Sequence, residues 1–144
     1  MKKVQFHYQD IKLTIRNKNE IKRFVEKIFI TEKKDLDKIH YIFCTDEYLL
    51  TINRQYLKHD YYTDIITFDL SENENKIIGE IYISLDRIAD NANSINEPLY
   101  NETLRVIFHG ALHLCGYKDK NEKDEKIMRK MEDKYISLFT NSST

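Results

Sequence analysis

The sequence predicts an α+β domain. Segments rich in β-forming residues concentrate in the earlier part of the chain, and stretches with helical apolar spacing flank and follow them. With three glycines and one proline in 144 residues, few positions break regular structure, so the elements should be dense and the connections short. The length fits one domain, expected over residues 1–139 with a polar tail at 140–144.

Val4-Gln-Phe-His-Tyr8 alternates apolar and polar residues and reads as a strand. Ile11-Lys-Leu-Thr-Ile15 also alternates, as a second strand or a lead into a helix. From Asn19 to Ile30, Ile21, Phe24, Val25 and Ile28 fall on one helical face. Ile39 to Thr45 is rich in β-formers and reads as a strand. Asp46 is expected to cap a helix reaching about Leu57, with Leu49, Leu50 and Asn53 along it. A polar and aromatic loop, Lys58 to Tyr62, leads to strands at 64–70 and 77–83, joined by a polar connection that suits an antiparallel hairpin. Ser84 caps a short helix to about Ser94. Pro98 stands near the start of a helix ending at Cys115. Asn121 opens the last helix, with Asp124 at its third position and Ile127, Met131, Tyr135 and Leu138 on its inner face.

The bulk composition excludes more than it identifies. A charged fraction of 33% with 41% hydrophobic residues is that of a globular protein. The first residues carry no apolar signal core and no run spans a bilayer, so neither secretion nor membrane insertion is expected, and the location reads as cytoplasmic. There, Cys44 and Cys115 are expected to be buried thiols and not a disulfide. The net charge of −1 gives no overall basic signal, so RNA binding would need a local patch, for which Arg54, Lys58, Lys118 and Lys120 are candidates.

The chemistry concentrates in Val106-Ile-Phe-His-Gly-Ala-Leu-His-Leu-Cys-Gly-Tyr-Lys-Asp119. Four residues of helix turn by about 400°, which leaves His109 and His113 about 40° apart on one face, as two ligands of one metal ion require. Gly116 can end the helix in a left-handed conformation and turn the chain back, carrying Asp119 toward the same ion. Three protein ligands with an open fourth position describe a catalytic zinc site. Asp119 could instead serve the turn, and Glu122 and Asp124 are alternative donors that suit the start of the last helix. Cys115 falls about 200° around from His113 and is assigned to the core. A zinc protease of the HExxH type needs a glutamate after the first histidine, and Gly110 stands there.

The segment from His109 to Tyr117, followed by a ligand at position 119, resembles the signature of the YbeY family of bacterial rRNA maturation factors and zinc endoribonucleases. Thr63-Asp-Ile-Ile-Thr-Phe68 and Gly79-Glu-Ile-Tyr-Ile-Ser84 are similar to that family's TDVLSF and GDIxIS elements, in the same order. The resemblance covers roughly residues 35 to 135. It implies a small mixed sheet covered by helices with the metal-binding helix central, a metzincin-like HxxxH helix, and one Zn²⁺ per chain held by His109, His113 and Asp119. It implies cleavage of rRNA precursors at the 3′ end of the small-subunit rRNA, a part in ribosome quality control, and partners in the small ribosomal subunit, a small-subunit ribosomal protein among them. The chain departs from the pattern twice: Asp119 replaces a third histidine, and Leu57 replaces an arginine. Lys58 or His59 are candidates to replace that charge. Asp64 and Thr67 would line the RNA cleft or serve strand-end capping and packing, and Glu80 would support a metal-ligating histidine. A non-catalytic, metal-stabilised ribosome-assembly factor is the alternative reading.

Overall fold

A computed structural model describes residues 2–73 and 75–142. In chain order the elements are β1 (Val4–Tyr8), α1 (Lys18–Thr31), β2 (Leu36–Cys44), α2 (Asp46–Ile52), a π-helical turn (Asn53–Leu57), β3 (Ile65–Asp69), β4 (Ile77–Ser84), α3 (Leu85–Ser94), α4 (Leu99–Leu114) and α5 (Glu122–Ser142). The sheet order is β1-β2-β4-β3. β1, β2 and β4 run parallel, and β3 pairs antiparallel with β4 as the edge strand. The mixed α+β architecture expected from the sequence is therefore present. No helix of the described residues is long and apolar enough to cross a membrane.

Register gives the sheet two unlike faces. Val4, Ile39 and Gly79 stand in one row, Phe6, Tyr41 and Ile81 in the next, and Tyr8, Phe43 and Ile83 in the third. These residues face α1, α4 and α5 and form the main core with Val25, Phe29, Ile107, Phe108, Met128 and Tyr135. The opposite face carries Glu80, Tyr82, Ile66 and Phe68, and α2 covers part of it through Leu49 and Ile52. His7 and His40 lie on this second face, joined nitrogen to nitrogen at 2.8 Å.

α4 packs against the sheet at two positions that leave no room for a side chain. A Cβ on Gly110 would stand 2.6 Å from Ile81 Cδ1, and one on Gly79 would stand 2.4 Å from Leu114 Cδ1. The buried Tyr41 hydroxyl on the central strand donates to the Ile107 carbonyl at 2.8 Å. That bond fixes the helix two residues before His109.

Several boundaries differ from the sequence reading. Residues 11–15 form neither strand nor helix; Ile15 is buried and its N–H donates to the Tyr8 hydroxyl at 3.3 Å. β2 begins at Leu36, earlier than expected. Thr45, not Asp46, caps α2, accepting from the Tyr48 N–H. The α-helix gives way to a π-helical turn at Asn53, whose buried side chain donates to the Tyr61 carbonyl at 2.9 Å. Ser84 caps α3 as its sequence suggests. α5 turns Met128, Glu132, Tyr135 and Phe139 inward, while Ile127 and Leu138 are 44% and 48% exposed. It also continues through Ser142, into the segment expected as a tail; Ser143 and Thr144 lie outside the described residues.

Candidate active site

The site is built on the C-terminal half of α4 and the turn that follows. Cys115 closes the helix, and Gly116 adopts φ 112°, a conformation that costs glycine little. Gly116 N–H bonds the His113 carbonyl at 3.0 Å and Tyr117 N–H bonds the Leu112 carbonyl at 3.1 Å, the paired bonds of a Schellman turn. The chain reverses there and returns Asp119 to the helix. Its Oδ2 stands 3.3 Å from His109 Nε2. Cys115 is buried on the core side, as its place on the helix implies.

A nitrogen and an oxygen that both bind zinc at about 2.0–2.2 Å, tetrahedrally, stand roughly 3.3–3.5 Å apart. His109 and Asp119 have that separation, so their donor atoms fit one ion. His113 follows one turn later on α4 with an exposed side chain and does not line the cleft described below. Among the described residues no three His, Cys, Asp or Glu side chains are gathered as a metal-holding cluster. Two of the three expected ligands are thus brought together, and the third is adjacent on the helix.

His109 opens into a cleft of about 710 Å³ between α4, α5 and the start of β3. Asp64 and Thr63 form its sheet side, and Lys126 and Arg129 of α5 form part of the opposite side. Asp64 is half-buried, and burial pushes its carboxyl above the ordinary carboxylate range, against the opposing pull of His109. Burial also opposes protonation of His109. The hydrogen bond and charge of Glu132, with Asp119 and Asp64 behind them, outweigh that and hold the imidazole above its ordinary value.

The closest partner of His109 is one the sequence reading did not single out. Glu132 of α5, only 5% exposed, accepts from His109 Nδ1 at 2.7 Å through Oε2 and from Arg105 at 3.0 Å through Oε1. Arg105 also reaches Asp133 at 2.8 Å and Glu102 at 3.5 Å. A signal existed in the sequence: Glu132 interrupts the apolar stripe of α5 at a position that the helix turns inward, where an unpaired carboxylate would be costly.

The remaining candidates lie elsewhere. Glu80 projects from the sheet face opposite α4 and accepts from the Tyr82 hydroxyl at 2.5 Å, so it does not meet His109. Lys58 is exposed after the π-helical turn, with φ 59°. His59 is exposed and stacks on Tyr61, bonded to its hydroxyl at 2.9 Å. Neither lines the cleft. Leu57 is partly exposed on the same turn, and Arg54 is paired with Asp60. Thr67 falls within β3, beside Ile81, and Phe68 packs in the smaller core. Lys118 and Lys120 flank Asp119 on the exposed turn.

Comparison with known proteins places the chain in a family. Residues 3–140 match the family model described as Endoribonuclease YbeY. The chain is 48% identical over 133 residues to the endoribonuclease YbeY of Cytophaga hutchinsonii, covering 92% of this chain and 93% of that one. It is 45% identical over 136 residues to that of Flavobacterium psychrophilum, covering 94% and 96%. A solution structure from Thermotoga maritima shares the fold at 24% identity, with a TM-score of 0.60 over 96% of this chain and 90% of that one. With near full-length identity of this order and a family model spanning almost every residue, the chain belongs to the YbeY endoribonuclease family.

Proposed function

We propose that this protein is a metal-dependent endoribonuclease that cleaves rRNA precursors in the cytoplasm, at the 3′ end of the small-subunit rRNA, and serves ribosome quality control. The observation that carries the reading is the 3.3 Å approach of Asp119 Oδ2 to His109 Nε2 at the mouth of the cleft. His109, Asp119 and His113 would hold one Zn²⁺, with His113 completing the set from the next turn of the helix. Such an ion supplies Lewis acidity, activating water or stabilising charge on a phosphodiester. The residues of the chain do the rest. Lys126 and Arg129 line the cleft with no ion pair among the described residues, and their charges suit phosphate oxygens. They stand among the carboxylates of Asp64, Glu102, Asp119, Glu122, Glu125 and Glu132, so the cleft offers phosphate two cationic contacts and not a basic patch. Asp64, across the cleft from α5, is held toward its neutral form by burial, the direction that suits a proton-exchanging carboxyl. Small-subunit precursor RNA is the proposed substrate, and the small ribosomal subunit with one of its proteins the proposed partner.

The test is a strip-and-reload experiment. Protein treated with chelator, then reloaded with Zn²⁺, is incubated with an end-labelled small-subunit rRNA precursor. Cleavage that disappears on stripping and returns on reloading agrees with the proposal. Cleavage indifferent to the metal contradicts the metal-dependent mechanism. A folded, metal-loaded protein that binds the precursor without cutting it supports an assembly factor instead.

A further inference from the structure

Glu132 divides its two oxygens between Arg105 and His109, and it does so inside the protein, at 5% exposure. An ionised carboxylate only accepts hydrogen bonds. The proton in its 2.7 Å contact with His109 therefore belongs to Nδ1, and in the neutral ring the lone pair lies on Nε2. Nε2 is the nitrogen that faces Asp119. Arg105 holds Glu132 Oε1 at 3.0 Å and is itself anchored by Asp133 and Glu102. In that tautomer Nε2 and Asp119 Oδ2 are two acceptors 3.3 Å apart, an approach that a cation shared between them reconciles.

We infer that Glu132 is the positioning residue of the site: it fixes the tautomer and ring orientation of His109 so that Nε2 is presented to the ion. The inference rests on the metal reading above. Metal-ligating histidines commonly donate their second nitrogen to a carboxylate, and loss of that partner weakens metal affinity about 10–100-fold. A merely structural Arg105–Glu132 ion pair would affect folding and leave the affinity of a folded variant unchanged.

The experiment is a Zn²⁺ titration against a chromophoric chelator, with full-length wild type, Glu132→Gln and His109→Ala, each checked for fold by circular dichroism. The expected result is a folded Glu132→Gln whose Zn²⁺ affinity is weaker by about 10–100-fold. Equal affinities in wild type and Glu132→Gln would overturn the role of Glu132 alone. Equal affinities in wild type and His109→Ala, or no uptake by wild type, would instead overturn the metal reading on which it stands. Should Glu132→Gln not fold, long-range ¹H–¹⁵N spectra of Zn²⁺-loaded wild type decide. A proton on His109 Nδ1 with Nε2 metallated is expected, and the opposite tautomer overturns the inference.

Discussion

His109 Nε2 and Asp119 Oδ2 stand 3.3 Å apart, although a helix end and a reversed turn separate them in the chain. The turn depends on Gly116 at φ 112°. A side chain there is strained even though open space surrounds it. Gly116→Val should therefore cost about 1–3 kcal/mol of stability in urea unfolding, and loosen the approach of Asp119.

Replacing Asp119 by histidine removes a negative charge beside the proposed ion. A neutral imidazole leaves that ion more positive, which favours ionised over neutral forms of anionic or acidic groups bound to it. Asp119→His should shift the acidic limb of the pH–rate profile for RNA cleavage to lower pH by roughly one unit. An unchanged profile would mean that Asp119 does not contribute its charge to the reacting centre.

Asp64 has a direct consequence for stability against pH. Its folded pKa is raised above the unfolded value, so the fold favours the protonated carboxyl. The stabilising contribution is full below the unfolded value and is lost as pH rises through the folded one. Asp64→Asn should gain thermal stability relative to wild type at pH 7, and the gain should shrink as pH falls through the raised folded value and be gone below about 4. Parallel melting curves across that range are the check.

Lys126 and Arg129 should contribute to RNA binding through charge. Substituting both with alanine is expected to weaken RNA affinity across sequences and to reduce the slope of log affinity against log salt by about 0.7 per lost contact. Salt-dependent binding to an uncleavable RNA measures this. The same double substitution should leave Zn²⁺ affinity unchanged.

Cys44 and Cys115 are free and buried, and burial, with nearby carboxylates, pushes each thiol up to about 12. At pH 8 so little thiolate forms that alkylation of the native protein should be slower than that of the unfolded chain by on the order of a thousandfold. Rapid labelling of either cysteine in the native state would show that it is exposed by local opening.

Much of this architecture is legible in the sequence where a single physical signal dominates. Ser84 caps α3, Asn121 accepts from the Asp124 N–H at the start of α5, and Gly116 ends α4, because each is a backbone problem that one side chain or its absence solves. The signals fail where tertiary packing decides. The inner face of α5 reads as Ile127, Met131, Tyr135 and Leu138 by hydropathy; Tyr135 is buried and Met131 packs against the core, but Ile127 and Leu138 are exposed, and Met128 and Glu132 face inward. Arg105 and His109 on α4 supply partners that make the buried Glu132 carboxylate tolerable, and no local pattern announces partners so distant in sequence. Glu80 misleads in the converse way. Its motif places it near the metal helix in sequence comparison, yet strand alternation puts it on the face away from α4, where Tyr82 holds it. At the π-helical turn 53–57, Asn53 bonds the Tyr61 carbonyl, a contact with a residue beyond the turn that local propensity does not announce.

Cleavage of a small-subunit rRNA precursor by purified, zinc-analysed wild type beside a folded His109→Ala variant tests the proposed active site most directly. Cleavage by wild type, lost in the variant together with zinc, is the predicted result. Equal cleavage by both, with zinc absent from the variant, would contradict a metal-dependent nuclease centred on His109.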